Sequence, residues 1–102
     1  MKWFLFSLML NLGCSQNAYS YENQRKIMVE DQIKRRGVKD VGVLKAVQKV
    51  EREKFVPEKY RDLAYSDNPL PIGHQQTISQ PYIVAYMTEH LQASKSHNVL
   101  EI

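Results

Sequence analysis

The densest group of side chains that could do chemistry lies in residues 71–81, PIGHQQTISQP. This segment leads into a helix predicted to start near Ser79-Gln80-Pro81, with Ser79 as its cap and Pro81 in its first turn. The N–H groups of a first helical turn have no partner within the helix, and the helix dipole adds partial positive charge there. The pattern predicts that Ser79 and this turn hold a carboxylate or phosphate. The alternative is that Ser79 only caps its own helix.

The other reactive residue types do not form a metal site or a complete catalytic motif. His74, His90 and His97 lack the spacing of zinc ligands. The single cysteine, Cys14, can form neither a disulfide within the chain nor a tetrahedral thiolate site by itself. No nucleophile triad, phosphate loop or nucleotide fingerprint is complete. We therefore expect no bound metal, and we regard His74 in the loop as a candidate hydrogen-bonding partner of a substrate.

Length and composition indicate one ordinary globular domain. Of the 102 residues, 43% are hydrophobic and 25% are charged, as in folded soluble proteins. Fourteen Lys and Arg against eleven Asp and Glu give a formal net charge of +3, without the clustered basic stripe of a nucleic-acid surface. No run approaches the ~18 apolar residues that span a bilayer. We expect neither a nucleic-acid partner nor an integral membrane segment.

The first twenty residues have the pattern of an export leader. Lys2 is followed by the nearly uninterrupted apolar run Trp3 to Leu12, and Ala18-Tyr19-Ser20 offers small residues at the spacing that a signal peptidase reads. The segment LNLGC, residues 10–14, is also similar to a lipoprotein box, although Asn11 stands where that box usually has Leu. Cleavage after Ser20 and a lipid anchor at Cys14 therefore both remain open. A further alternative is an N-terminal extension that packs on the domain.

The leader sets the expected domain organisation and compartment. Residues 1–20 are interpreted as a signal peptide or lipoprotein leader, and residues 21–102 as the folded portion. If the leader functions, the protein is exported to the periplasm or envelope. The alternative is a cytoplasmic protein.

The rest of the chain predicts four helices that present the loop at residues 71–81. The first runs from Tyr21 to Arg36 on the surface and is closed by Gly37, and the second is capped by Asp40. The third is short and begins at Pro57, and the fourth begins near Ser79. The apolar positions that define helical faces are Ile27, Val29 and Ile33, then Val43, Leu44, Val47 and Val50, and finally Ile83, Met87 and Leu91. Lys and Glu residues around these helices are expected to form a solvated face.

Two further segments complete the predicted architecture. Residues 65–78 contain two prolines and turn-forming residues and are predicted to form an ordered loop. Residues 98–102, NVLEI, are predicted to form a strand of a buried parallel sheet. A strand needs partner strands to satisfy its hydrogen bonds, so this segment implies a sheet.

Several of these segments together resemble one known family. Residues 70–82, LPIGHQQTISQPY, resemble the signature of protein-L-isoaspartate O-methyltransferases, repair enzymes that methylate isoaspartyl residues in damaged proteins. Residues 36–38, RGV, and 52–57, REKFVP, are similar to parts of the family's N-terminal helices, in the right order. Residues 99–102, VLEI, are similar to the first strand of its sheet. The resemblance covers about residues 25–102.

The resemblance implies an α/β fold and a set of site residues. The chain would form the N-terminal helical region and first strand of a Rossmann-like methyltransferase fold that uses S-adenosylmethionine. Ser79 matches the family's active-site serine, and Gln76, Thr77 and Ile78 match the cofactor-contacting segment just before it. Glu101 matches the acidic residue that opens the family's glycine-rich cofactor motif. The implied partners are proteins or peptides that contain isoaspartate.

The chemistry implied by the resemblance needs positioning rather than a general base. A carboxylate is already ionised near neutral pH and is itself the nucleophile that accepts the methyl group. Because the glycine-rich motif would follow residue 102, we expect the chain by itself to be an incomplete and inactive portion of this fold. The alternative function is a small exported helical binding module or envelope lipoprotein without catalysis.

Overall fold

A computed structural model describes residues 20–102 of the chain. The predicted leader, including the lipid-anchor candidate Cys14, lies outside the described residues except for Ser20. Ser20 is the cap of the first helix, because its Oγ accepts a hydrogen bond from the Asn23 amide at 3.1 Å. Ser20 is therefore the only residue of the predicted leader that the structure describes.

The domain is rich in helix and has one small antiparallel sheet. Among the described residues the α-helices are α1 (Tyr21–Ile27), α2 (Val41–Lys49) and α3 (Pro81–Leu91), and the strands are β1 (Leu70–Gly73) and β2 (Gln76–Ile78). A π-helical turn, Met28–Ile33, and a 3-10 turn, Lys34–Arg36, continue α1 without a break. Two further 3-10 helices, Arg52–Phe55 and Glu58–Leu63, connect α2 to the sheet. This architecture is consistent with the N-terminal helical region of the α/β methyltransferase fold that the resemblance implies.

The first predicted helix is confirmed in extent and as an amphipathic surface helix, because its charged residues from Glu30 to Arg36 are exposed while one face enters the core. Gly37 ends it with φ +102°, a left-handed conformation that glycine adopts without strain. The i to i+5 hydrogen bonding of the π-helical turn changes which side chains share a face. Met28 therefore joins Val29 and Ile33 in the core, whereas the predicted face residue Ile27 is 50% exposed.

The core forms where the π-helical turn packs against α3, with α2 beside them. Asp40 caps α2 as predicted, because its Oδ1 accepts a hydrogen bond from the Val43 amide at 2.9 Å. Val43 is buried, whereas Val50, at the end of the predicted stripe, is exposed. The buried apolar residues are Met28, Val29, Ile33, Val38, Val43, Val56, Ala64, Tyr65, Leu70 and Ala85.

Three charged residues are buried, so the prediction that Glu residues near the helices form only a solvated face is wrong for Glu53. Glu53 is buried beside Arg52 and accepts a hydrogen bond from the Tyr65 hydroxyl. Burial and this hydrogen bond raise the pKa of Tyr65 to about 12. Arg25 is buried on the other side of Tyr65 and donates to the carbonyls of Gln48 and Lys49 at 3.4 and 3.3 Å. It thereby satisfies acceptors in the last turn of α2.

Part of the predicted loop at residues 65–78 is a β-hairpin, which corrects that prediction. β1 pairs with β2 in the register Leu70 with Ile78 and Gly73 with Gln76. His74 and Gln75 form the two-residue turn at φ +53° and +57°, both left-handed. Such a turn ordinarily carries Asn-Gly, so the sequence lacks the signal from which a hairpin is predicted.

Residues 98–102 do not form the predicted strand. Their apolar side chains are exposed, Leu100 at 85%, and the only strands in the described part of the chain are β1 and β2. A strand is maintained by hydrogen bonds to a neighbouring strand, and within residues 20–102 no strand lies beside this segment. Residues 98–102 are largely apolar, as a buried strand would be, but the described residues contain no strand with which they could pair.

A charged network fixes the start of α3 to the end of the first helix. Arg36 donates through its two Nη atoms to the two carboxylate oxygens of Asp67, one at 2.8 Å. Gln80 Nε2 donates to Asp67 Oδ1 at 2.6 Å. The Arg36 guanidinium also lies 5.2 Å from the centre of the Tyr82 ring. The hydrogen bonds from Arg36 and then from Gln80 lower the pKa of Asp67 to about 2.

This network predicts a specific contribution to acid unfolding. With a folded pKa of about 2 against an unfolded value of about 3.9, the Asp67 carboxylate stabilises the fold above pH ~4 and loses that effect as the pH falls through ~2. In Asp67→Asn, the free energy of unfolding is expected to be lower at neutral pH and to fall less steeply between pH 4 and 2. Urea unfolding at stepped pH measures this slope. Asp62→Asn, at another exposed carboxylate, is the control, and equal slopes in both variants would contradict the prediction.

The strained hairpin turn predicts a stabilising double substitution. Replacing His74 by Asn and Gln75 by Gly places residues that tolerate positive φ in a two-residue turn, and the free energy of unfolding should rise by roughly 1 kcal/mol. Thermal and urea unfolding measure the gain. Gly73→Ala is the opposite control, because φ is +96° there and no atom lies within 4 Å of the added Cβ. It should destabilise through backbone strain alone, and a stable Gly73→Ala variant would contradict the strain argument.

Candidate functional site

Four of the five predicted site residues line one cavity of about 600 Å³ between α2, the hairpin and α3. They are Thr77, Ile78, Ser79 and Glu101. Gln76 is not part of the lining; it begins β2, pairs with Gly73 and is exposed. The volume falls in the range of ~300–1,000 Å³ that is typical of small-molecule pockets. The structure thus brings together residues that lie up to 24 positions apart in the sequence.

The wall of the cavity is mostly apolar. The apolar side chains come from α2 and its C-terminal cap, the 3-10 turn after it, β1 and α3: Val43, Ala46, Val47, Val50, Phe55, Ile72 and Val84 among them. The ionisable groups in the wall are Glu101 and Arg52. Apolar walls with a few polar groups favour a ligand that has both an apolar surface and a charged or hydrogen-bonding part.

The predicted capping role of Ser79 is wrong. α3 begins at Pro81, so its cap position belongs to Gln80, and no side-chain hydrogen bond caps this helix. The Gln80 side chain is directed to Asp67 instead. Ser79 stands one residue too early to act as a cap, and it lies in the wall of the cavity between the end of β2 and the start of α3. The alternative that Ser79 serves only as a cap is therefore overturned.

The backbone of Ser79 is held by the buried Arg52, which is not among the site residues predicted from the sequence. Arg52 Nη2 donates to the Ser79 carbonyl at 2.8 Å, and Arg52 Nε donates to the Ala64 carbonyl at 2.7 Å. Burial lowers the pKa of Arg52, but a guanidinium remains protonated in proteins. In the sequence, Arg52 lies in a stretch rich in charged residues, and nothing in that pattern distinguishes it from a surface residue. Its burial follows from contacts with residues 12 and 27 positions further along the chain.

The histidines lie away from this cavity and outside its wall. His74 is exposed at the turn of the hairpin. Nδ1 of His90 lies 2.8 Å from the Tyr86 carbonyl, and Nδ1 of His97 accepts a hydrogen bond from the Ser94 amide at 3.1 Å. Within residues 20–102, no three His, Cys, Asp or Glu side chains come together in a way that could hold a metal ion. None of the helices in this same part of the chain is long and apolar enough to cross a membrane.

The cavity wall offers one contact suited to an anionic group and one suited to a cationic group. The Ser79 hydroxyl is a hydrogen-bond donor for an anionic group, and the nearby start of α3 contributes partial positive charge. The Glu101 carboxylate in the same wall favours a cationic group. The site therefore has the polarity needed to bring an anionic nucleophile to a positively charged donor.

Comparisons with known proteins agree on one family. Residues 23–102 match the family described as protein-L-isoaspartate(D-aspartate) O-methyltransferase (PCMT). Protein-L-isoaspartate O-methyltransferase 1 of Rhodopseudomonas palustris (strain HaA2) is 59% identical over 88 residues, which are 86% of this chain and 36% of that protein. Protein-L-isoaspartate O-methyltransferase of Opitutus terrae (strain DSM 11246 / JCM 15787 / PB90-1) is 50% identical over 100 residues, which are 96% of this chain and 43% of that protein.

The chain thus spans about two fifths of the length of the curated relatives that it matches. The family match covers nearly all of the described residues, and it includes the hairpin, the start of α3 and the whole cavity. The resemblance inferred from the loop signature is confirmed: this chain belongs to the protein-L-isoaspartate(D-aspartate) O-methyltransferase family.

Proposed function

We propose that this chain provides the N-terminal part of an enzyme that transfers a methyl group from S-adenosylmethionine to the carboxylate of isoaspartyl residues in damaged proteins. The observation that carries the proposal is the meeting of Thr77, Ile78, Ser79 and Glu101 in one cavity. These are four of the five residues that the family resemblance selects, and they come from a hairpin, a helix start and a distant segment. Membership of the family supports the same reaction.

The chemistry of the cavity fits part of S-adenosylmethionine. This cofactor has a positively charged sulfonium sulfur bonded to three carbon groups, and when bound it supplies the activated methyl group. Glu101 offers a negative charge for the cationic part, and Thr77 and Ile78 offer a polar and an apolar contact in the same wall. The Arg52 charge is already engaged by two backbone carbonyls, which reduces its repulsion of a cationic ligand. We assign Thr77, Ile78, Ser79 and Glu101 to cofactor binding and keep Gln76 only as a hairpin residue.

Ser79 has the role of orienting the substrate carboxylate. Its hydroxyl can donate a hydrogen bond to one carboxylate oxygen, while the start of α3 stabilises the negative charge. The other oxygen is then the nucleophile and requires no proton to be removed. Apolar side chains around the site, such as Val47 and Ile78, are partly buried, and displacement of water from them by a bound ligand would strengthen the attraction between the opposite charges. Orientation and exclusion of water are the contributions of this chain's own residues.

The proposed reaction is tested with a chimera in which this chain replaces the matching part of the Rhodopseudomonas palustris relative. At 59% identity over that part, the buried contacts between the two portions should be largely retained. Incorporation of labelled methyl into an isoaspartyl peptide is measured, with the same peptide carrying normal aspartate as the control. The chain alone is assayed in parallel. Methylation of neither peptide by a folded chimera would contradict the proposal and favour the non-catalytic binding module.

Ser79→Ala in the active chimera is predicted to lower methyl transfer by roughly ten- to a thousand-fold, the range expected when one oriented donor at a reacting centre is lost. Because Ser79 does not cap α3, the melting temperature should change little. Thr88→Ala is a matched control, since it removes another hydroxyl from the cavity wall, one that donates to the Val84 carbonyl within α3. Equal turnover in Ser79→Ala and the unsubstituted chimera would remove Ser79 from the proposed mechanism.

For the leader we propose export with retention of Ser20. Cleavage after Ser20 would remove the hydroxyl that caps α1 and leave a positively charged amino group at the start of that helix, which its dipole disfavours. Lipid attachment at Cys14 would keep the cap. Expression in a bacterial host should therefore yield membrane-bound protein whose intact mass includes a lipid on Cys14. A soluble periplasmic chain beginning at Tyr21 would contradict this choice, and an unprocessed cytosolic chain beginning at Met1 would contradict export.

A further inference from the structure

Ser79 occupies a junction that has little support from regular secondary structure. β2 ends at Ile78 and α3 begins at Pro81, so Ser79 lies between the last ladder position and the first helical turn. β2 has only three residues and pairs on one side with β1, which itself begins with Leu70 and Pro71. A residue at such a junction needs a tertiary contact to keep one orientation.

Arg52 provides that contact from a separate element. It belongs to the 3-10 helix after α2, and its planar guanidinium bridges the Ala64 carbonyl at 2.7 Å and the Ser79 carbonyl at 2.8 Å. The residue is only 8% exposed, and a buried charge is tolerated when it is hydrogen-bonded. The contact therefore links the Ser79 backbone to the end of the second 3-10 helix, which is part of the core through Ala64.

We propose that Arg52 is a positioning residue for methyl transfer, which acts by holding the Ser79 carbonyl so that the Ser79 Cα–Cβ bond keeps the direction from which the hydroxyl reaches the substrate carboxylate. This inference rests on the proposed function, because it assigns Arg52 a part in that reaction. Arg52 itself makes no contact with reacting atoms in this role. Its effect is on the rate at which bound reactants reach the productive geometry.

Lysine cannot perform this role. A guanidinium presents donors in a rigid plane and can serve two carbonyls at a fixed spacing, whereas an ammonium group is a compact point charge on a flexible stem. Arg52→Lys retains the charge and much of the aliphatic stem but loses the fixed bridge from Ala64 to Ser79. The substitution thus separates the geometry of the bridge from its charge.

Arg25 is a control for burial, although its hydrogen bonds, at 3.4 and 3.3 Å, are longer than those of Arg52 and its buried Nε has no partner. It is 7% exposed, against 8% for Arg52, and it also donates to two backbone carbonyls, those of Gln48 and Lys49. Its partners end α2, and it is absent from the wall of the cavity. If Arg52 had only a structural role, Arg25→Lys and Arg52→Lys would have similar effects on turnover.

The experiment compares Arg52→Lys and Arg25→Lys in the chimera by melting temperature, kcat and KM. Arg52→Lys is expected to lower kcat by ~10–100-fold, as for a misplaced reacting group, with KM for the isoaspartyl peptide changed by less than ~3-fold. Arg25→Lys should change kcat by less than ~2-fold, whatever its effect on the melting temperature, because Arg25 does not contact the Ser79 backbone. Arg52→Gln is the second variant if Arg52→Lys does not fold. Equal kcat values in the folded Arg52 and Arg25 variants would overturn the proposal.

A second readout is independent of activity and uses the full chain. The carbonyl carbon of Ser79 and the amide nitrogen of Gln80 belong to the peptide group that Arg52 contacts, so their NMR resonances should shift in Arg52→Lys and remain in place in Arg25→Lys. Unchanged resonances in Arg52→Lys would overturn the proposal even if kcat falls. An unsubstituted chimera without activity would overturn the proposed function and the role of Arg52 in it. If the resonances still shifted in Arg52→Lys, the hydrogen bonds of Arg52 to Ala64 and Ser79 would have a structural role only.

Discussion

Backbone carbonyls at the ends of secondary-structure elements need donors, and in the described part of this chain two buried arginines supply four of them. The sheet has two short strands, and the connections are 3-10 helices of four and six residues, so that many carbonyls lie at the ends of elements. Arg25 donates to two carbonyls in the last turn of α2, and Arg52 donates to the carbonyls of Ala64 and Ser79. Each guanidinium joins segments that are distant in sequence, and its burial is offset by these hydrogen bonds. Removing Arg52 would leave the buried Ala64 carbonyl without this donor, and removing Arg25 would take a donor from two part-buried carbonyls.

The parts of the fold that depend on local spacing could be predicted from sequence, and those that depend on distant contacts could not. Asp40 was correctly identified as a cap because capping depends on local spacing alone, and Gly37 was correctly placed at the end of the first helix for the same reason. Ser79 had the same local pattern and was wrongly predicted to be a cap, because Pro81 determines where α3 begins. The hairpin was missed because His74-Gln75 lacks the residues typical of its turn. The strand at residues 98–102 was predicted from its apolar pattern, but pairing depends on residues that a local pattern does not contain.

Most residues of the candidate site could be predicted from the sequence, but the arginine that holds Ser79 could not. The loop signature selected Ser79 and its neighbours, and the family resemblance added Glu101, which lies in the same cavity wall although it is far along the chain. Arg52 could not be selected, because neither its neighbours nor its spacing indicate burial and its partners are carbonyls, which every residue has. Hydrogen bonds from a side chain to a distant backbone carry no sequence signature. Asp67 and Gln80, which help to fix the start of α3, were not predicted either, because their hydrogen bonds join side chains 13 to 31 positions apart and no local spacing indicates such pairs.

Holding Ser79 by its carbonyl rather than by its hydroxyl has a chemical consequence. A hydroxyl that is engaged in a structural hydrogen bond would have to exchange that bond for one to a ligand, which would reduce the net gain from binding. The Arg52 bridge fixes the backbone, so the orientation of the Cα–Cβ bond follows without any demand on Oγ. The network of Arg36, Asp67 and Gln80 adds a different restraint on the next residue, since it holds the Gln80 side chain rather than its backbone. Neither contact uses the Ser79 hydroxyl, so positioning is separated from the group that contacts the substrate.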